Sequence, residues 1–321
     1  MGIPTNTYQT FQLRGNAEDV DNSIYNLDPE ETPFASSLAS EKVDARMPQW
    51  QEDTLAAASS TNAMIEGDDF DGLAITPTFV LTNVVQTMRK DIVTSGLANA
   101  IKKYGRKNEQ QYQLAKATID LRKDVEAAML SANAGVAGAT GTASKMAGLE
   151  LYANVNKLHN GTGATPASVN ATLPTVAPTD GATRALTDTL FNSLLAMMWE
   201  SGATPKVCYL SMTQKAVVNT FQGIATRRVD VPPRGMASII GVADIYVWET
   251  GPIAFVPVYA DRIRSRTLFV TDGKSVKRGF IRGITKETMG KTGDNSKDML
   301  VTDVLVKVTN RKGVGKIAEL A

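Results

Sequence analysis

His159, Cys208, the carboxylates Asp68, Asp69 and Asp71, and the stretch Gly290-Lys291-Thr292 are the places where this chain could do chemistry. A histidine paired with a thiol or hydroxyl would mean nucleophilic catalysis, in which the imidazole takes the nucleophile's proton. His159 is the single histidine and is followed by Asn160-Gly161, a turn pair; Cys208 sits in the apolar run Val207-Cys208-Tyr209-Leu210. Neither has the local signature of a nucleophile and its base, and Cys208 reads as a small buried hydrophobe. One histidine and one cysteine are too few ligands for zinc. The three aspartates could offer oxygens to calcium, but an EF-hand loop needs a glutamate at its twelfth position, and the next acidic residue after Asp71 is Asp91. Gly290-Lys291-Thr292 matches the end of a phosphate-binding loop whose leading glycine would fall on Thr285. The basic pairs Lys102-Lys103, Arg106-Lys107, Arg227-Arg228 and Lys277-Arg278 could meet phosphates, yet they lack an aromatic stacking platform or a nucleic-acid motif. No catalytic, cofactor or metal site is expected, and the chain is not read as an enzyme.

The 321 residues are 43% hydrophobic and 21% charged, enough for two sub-domains or one elongated domain. A net charge of +1 gives no whole-chain signal for nucleic acid or membrane. Its distribution says more. Residues 1–100 hold 15 acidic and 5 basic side chains; residues 101–321 hold 18 and 29. Chance clustering on solvated faces explains this, or an acidic N-terminal region lies on the basic C-terminal region of a neighbouring copy, fixing register. One cysteine excludes an internal disulfide. Met1-Gly2-Ile3-Pro4 lacks the features of a signal peptide, and no run approaches the ~20 apolar residues of a membrane helix. A soluble protein made in a reducing cytoplasm, with no membrane, is expected.

The elements that would position these residues follow from pattern. Residues 1–40 are polar and broken at Asp28-Pro29 and Thr32-Pro33, with a helical turn at 34–38; such an arm needs a partner surface to order. Ala45–Gln51 and Thr78–Met88 read as strands flanking the acidic turn Glu66-Gly67-Asp68-Asp69, a long two-stranded excursion that is marginal alone and implies docking. Pro48 marks an edge. From Arg106 to Asn133 there is no glycine or proline, and Leu114, Leu121, Val125, Ala128 and Met129 share one side; this predicts a half-exposed helix of ~40 Å. A short helix is expected around 146–153 and a linker at 160–183. A helix over 187–200 is expected to be capped by Thr187 or Asp188 and ended by Gly202. Strands are expected at 207–210, 244–248, 267–270, 280–288 and 299–308, with a helix over 211–221. Residues 299–308 alternate, setting Leu300, Thr302, Val304, Val306 and Val308 against Val301, Asp303, Leu305 and Lys307. The order is α+β, without βαβ repetition.

The segment Ile24-Tyr25-Asn26-Leu27-Asp28-Pro29-Glu30-Glu31-Thr32-Pro33-Phe34 resembles the N-terminal arm of the tailed-bacteriophage major capsid (major head) protein family. There the arm precedes an extended loop and a long helix, the order expected here. Gly293-Asp294 before Met299-Leu300-Val301-Thr302 is similar to a family segment where a Thr-Gly-Asp turn joins two strands and Lys316-Ile317 closes the chain. Met146-Ala147-Gly148-Leu149-Glu150 after the glycine-rich loop is similar too. The resemblance covers most of the chain, chiefly by order of elements. It implies the Hong Kong ninety-seven capsid fold: an N-arm at 1–40, an extended E-loop hairpin region at 41–95, a P-domain with its spine helix at 96–160, an A-domain with a preceding linker at 161–265, and return strands of the P-domain at 266–321.

The resemblance further implies self-assembly through hexamers and pentamers into an icosahedral shell. The shell would enclose double-stranded DNA without sequence-specific binding, with portal, scaffold and decoration proteins as further partners. The chain would reside in the virion after synthesis in the host cytoplasm. Interface candidates are Asp28, Pro29, Thr32, Pro33 and Phe34 in the arm, Trp50, Glu66, Asp68 and Asp69 in the hairpin, and Lys277, Arg278, Arg282, Gly293 and Asp294 in the last strands. Pro29, Thr32 and Phe34 are expected to matter for assembly and not for folding of the core. A tail or decoration component is the alternative, and a phosphate-handling enzyme using Lys291 a third class.

Overall fold

A computed structural model describes residues 26–69, 72, 75–221 and 245–321. The arm before Asn26, Asp71, Arg227-Arg228 and Asp244 lie outside the described residues.

Two cores organise the chain. The first is built on a sheet in the order β1 (Ala39–Lys42), β10 (Val276–Thr288), β11 (Asn295–Val308), β4 (Gln86–Ser95). β10 and β11 form a long antiparallel hairpin, β4 pairs antiparallel with β11, and β1 runs parallel to β10. Helix α3 (Glu109–Met129) packs on β4 and β11. Its 21 residues make a rod of about 32 Å, shorter than expected from the sequence. It starts late because the Asn108 side chain accepts the Gln111 N–H at 3.2 Å, an N-cap that sets the first turn. Leu121, Val125 and Met129 are buried as predicted, and so are two polar residues, Gln110 and Glu126. Gln110 Nε2 donates to Asp298 on β11 at 2.8 Å, which fixes the start of α3 on the sheet.

The second core is a six-stranded sheet, β5 (Asn156–Leu158), β12 (Val314–Ile317), β9 (Leu268–Thr271), β6 (Val207–Ser211), β8 (Gly251–Val258), β7 (Ile245–Trp248). Helix α5 (Asp188–Glu200) buries Phe191, Leu194, Leu195 and Met198 against it. Its cap is Thr187, whose side chain accepts the Leu190 N–H, and Gly202 follows its end, both as expected. Helix α6 (Met212–Val218) is capped by Ser211. α2 (Gly96–Ala100) and α4 (Leu149–Tyr152) are single turns, α4 falling inside the expected 146–153 stretch.

The sheets do not follow the divisions drawn by sequence position. β4 falls within the 41–95 region expected for the hairpin but belongs to the first sheet, because it pairs with β11 from Gln86 to Ser95. Of the strands in 266–321, β10 and β11 return to the first sheet, while β9 and β12 lie in the second. In β11 both alternating sets are buried between Leu300 and Val306, so both faces are covered, and α3 and α4 both pack on the strand. Among the described residues, no helix is long and apolar enough to cross a membrane.

Candidate assembly surfaces

The arm enters the first core through α1 (Pro33–Ser37). Pro33 opens the helix, where its fixed φ fits and no N–H is needed. The preceding Thr32 makes no capping bond with its side chain. The cap comes instead from α3, where Glu126 Oε2 accepts the Ala35 N–H at 2.9 Å. Phe34 is fully buried, edge-on to Tyr209 at 4.9 Å, and Ser37 Oγ lies 2.7 Å from the Tyr209 hydroxyl. Arg262 donates to the Pro29 carbonyl at 2.9 Å and to the Glu31 carbonyl. The expectation that Phe34 serves assembly alone is therefore corrected. Its ring fills the core of its own subunit, and no surface of it remains for a neighbour. Asp28 is exposed, while Thr32 and Pro33 are half-buried.

The hairpin is β2 (Gln49–Glu52) paired antiparallel with β3 (Phe79–Thr82). Its base is fastened by several independent bonds. Trp50 Nε1 donates to the Val308 carbonyl at 2.6 Å, and Glu52 pairs with Arg311 at 2.7 Å. The Arg311 guanidinium lies over the Phe79 ring at 4.2 Å. The linker adds Asn170 and Ala171, which bond both backbone groups of Val80. Asn83, fully buried, donates to the carbonyls of Val306 and Ala147 and accepts the N–H groups of Val84 and Ala147. Trp50, half-buried, thus holds the hairpin to its own subunit. Beyond the base the picture reverses. Leu55 is 99% exposed, Ile75 90%, Ile65 79% and Met64 72%. Glu66, Asp68 and Asp69 are exposed around the tip turn.

At the far end of the first sheet, Gly293 (φ +152°) and Asp294 lie between β10 and β11, so a Thr-Gly-Asp turn does join two strands. The Asp294 carbonyl accepts the Gly96 N–H at 3.0 Å, and a Cβ at Gly96 would fall 2.0 Å from the Asp294 carboxylate. The exposed Asp294 side chain would have to turn aside to admit one. Val93, Leu97, Ile101 and Tyr104 are exposed nearby on β4 and the α2 segment.

The basic candidates are used within the chain. Lys277 pairs with Glu41 at 3.0 Å, joined by Lys307; Arg278 donates to Ser40 at 2.8 Å; Arg282 pairs with Asp303. Bonds from Lys307 and then Lys277 hold the Glu41 carboxyl below the usual carboxylate range. The acidic N-terminal and basic C-terminal regions therefore meet, in part, inside one subunit rather than only between copies.

The histidine and the cysteine are both tied into the packing. His159 Nδ1 lies 2.8 Å from Glu319 Oε1 and Nε2 2.8 Å from Thr165 Oγ1, the hydroxyl–imidazole–carboxylate order of a nucleophilic triad. But Thr165 and Glu319 are buried, and Glu319 also accepts the N–H of Asn160 at 3.0 Å. The group ties the 159–165 loop to the segment that follows β12. Burial pushes the Cys208 thiol well above its usual value, so it is no thiolate. Among the described residues no cluster of three or more His, Cys, Asp or Glu could hold a metal ion.

The family model for the SU10 major capsid protein matches residues 3–321. The chain belongs to that family of phage major capsid proteins. The family is one of structural shell proteins rather than enzymes. A stretch of 134 residues is 34% identical to a major capsid protein of Escherichia phage Phieco32, covering 42% of this chain and 38% of that one, so the match spans little more than a third of that relative. Solved structures with the same fold include the capsid of a native GTA particle (TM-score 0.62, 10% identity, 97% of this chain and 98% of that one). Others are Mycobacterium phage Ogopogo (0.57, 14%, 96% and 97%) and an encapsulin complex from Synechococcus elongatus PCC 7942 (0.54, 13%, 95% and 92%). At such identities the likeness shows the fold alone, the Hong Kong ninety-seven capsid fold; the family model separates phage head from encapsulin.

Within this capsid fold, sequence reasoning missed Glu126 and Arg262. The signal for Glu126 was a carboxylate beside the buried stripe residue Val125. Arg262 stands in the run Asp261-Arg262-Ile263-Arg264-Ser265-Arg266, where alternating arginines read as solvated. Only the packing shows that Arg262 is buried while Arg266 is exposed.

Proposed function

We propose that the chain self-assembles through hexamers and pentamers into an icosahedral shell that encloses double-stranded viral DNA without sequence-specific contacts. The observation that carries this reading is the hairpin. Its base is bonded to its own subunit, while its tip holds out Met64, Ile65 and Ile75, almost wholly exposed, beside an acidic turn. A subunit that worked alone would gain nothing from such a loop and would risk aggregation. A subunit of a closed assembly buries it, and many such contacts add through multivalency. Family membership supports the same reading. The shell's place is the virion, its synthesis the host bacterial cytoplasm, and its further partners portal, scaffold and decoration proteins.

Expression of the chain followed by electron microscopy tests the proposal. Closed shells, or hexameric and pentameric rings, are expected from the chain alone or with a scaffold supplied. A product that stays monomeric under both conditions overturns it. Because Glu41, Glu52 and their basic partners are already paired within the subunit, particle yield should respond only modestly to salt. A steep loss at raised ionic strength would return the charge split to the interface between copies.

A further inference from the structure

We propose, resting on the shell reading, that Arg262 and Glu126 are positioning residues for assembly: they set the direction in which the arm leaves the subunit and make it depend on where the loop after β8 lies against the spine helix α3. Both side chains are buried, at 1% and 0% exposure. They come from different parts of the fold, Glu126 from α3 and Arg262 from the loop that follows β8. Their mutual contact is loose, with Arg262 Nη1 3.6 Å from Glu126 Oε1. A pair built for its own strength would be bidentate and shorter, about 2.7–2.9 Å. Here each side chain turns its best contacts to the arm. Arg262 Nη2 and Nη1 bond the carbonyls of Pro29 and Glu31, and Glu126 Oε2 caps α1 through the Ala35 N–H. The guanidinium also lies over the Tyr259 ring at 4.8 Å. Arg262 Nε and Glu126 Oε1 have no hydrogen-bond partner, Nε lying 3.6 Å from the exposed Asp261 carboxylate, so the hydrogen bonds that complete the pair are those to the docked arm.

The arm, the spine helix and the loop therefore meet at one junction. Beside it an open cleft of about 670 Å³, lined by Ala127, Ser131, Asp261 and Arg264, leaves room for the loop to shift against the end of α3. Lysine does not reproduce the arginine, because its one nitrogen cannot occupy both positions from which Nη1 and Nη2 reach the Glu31 and Pro29 carbonyls.

A glutamate-specific protease applied to the unassembled subunit is the test, since the Glu31 carbonyl held by Arg262 belongs to the bond such an enzyme cuts. In Arg262→Lys, cutting at Glu30 and Glu31 should accelerate at least about tenfold while cutting at Glu109 stays slow, and particles should become irregular or fail. A buried ammonium whose donors are left unpaired can also unfold a subunit, so the double variant Glu126→Gln with Arg262→Met, which removes both charges, is run beside it. It should fold and expose the arm in the same way. Unchanged arm cutting in either folded variant overturns the proposal, as does acceleration at every site alike or regular shells built from loosened arms. The proteolysis is read before any shell forms, so its failure is distinct from a native chain that makes no particles.

Discussion

The elbow at Pro29–Leu38 and the hairpin tip at Leu55–Ile75 look alike in sequence and do opposite things in the fold. Both are short of long apolar runs, both carry breakers and acidic residues, and both suggest extensions that wait for a neighbour. The elbow inserts Phe34 and Ala35 into the first core and takes bonds from Glu126, Tyr209 and Arg262. The tip leaves four large apolar side chains in solvent. The lesson is that an anchor needs few residues if they are placed well: one aromatic ring and two buried charged groups hold the elbow, whereas the described residues of the much longer tip are all exposed. The hairpin's own anchors stop at its base, around Trp50, Glu52 and Asn83.

The comparison can be broken experimentally. Phe34→Ala should cost the isolated subunit about 3–5 kcal/mol in denaturant unfolding, the usual range for emptying a buried aromatic site. An unchanged unfolding midpoint would put the elbow back in the class of assembly-only arms. Asn83→Ala should follow at about 2–3 kcal/mol, because it strands buried backbone groups of Val306, Ala147 and Val84. A loss below half a kilocalorie would mean water replaces the amide.

Acid should act next, and modestly. The folded Glu41 carboxyl lies below its usual 4.5, so its contribution is complete above that value and fades as pH falls through the lowered one. Glu126 has the opposite sign. Burial, partly offset by the Ala35 N–H and Arg262, raises its carboxyl, so protonation there does not weaken the fold as pH falls. Unfolding midpoints taken between neutral pH and about pH 3.5 should thus show an acid loss that Glu41→Gln diminishes. If the variant's pH profile matches the parent's, the Glu41–Lys277–Lys307 group is not what holds β1 to β10.

The smallest effect on stability should come from the tip. Met64→Ser with Ile65→Ser should leave the subunit within about 0.5 kcal/mol of the parent, as exposed sites do. Particle yield should nonetheless fall sharply, measured by sedimentation and microscopy. Full particle yield from that variant would remove the tip from the assembly surfaces and leave the two regions distinguished by burial alone.

Much of this was legible in the chain. α5 could be placed with its cap at Thr187 because local capping and apolar spacing agree there, and the β10–β11 hairpin because β-rich runs flank a glycine turn. β8 was not anticipated: Gly251-Pro252 and Pro257 argue against an inner strand, yet it sits between β6 and β7 with the prolines near its ends. Glu126 and Arg262 were illegible for another reason. A charged residue in sequence is equally consistent with a wet face and a buried junction, and 136 positions separate the two.

Sequence by itself determined the kind of protein this is. The missing catalytic constellations, the order of arm, hairpin, long helix and strands, and the arm and turn motifs all depend on local spacing, which one chain displays in full. Tertiary structure alone decided which extension is anchored and which is offered, which charges meet within a subunit, and which strands share a sheet. Those outcomes depend on residues far apart in the chain arriving at one place, and burial, which separates Phe34 from Ile65, is a property of the packed subunit rather than of either residue.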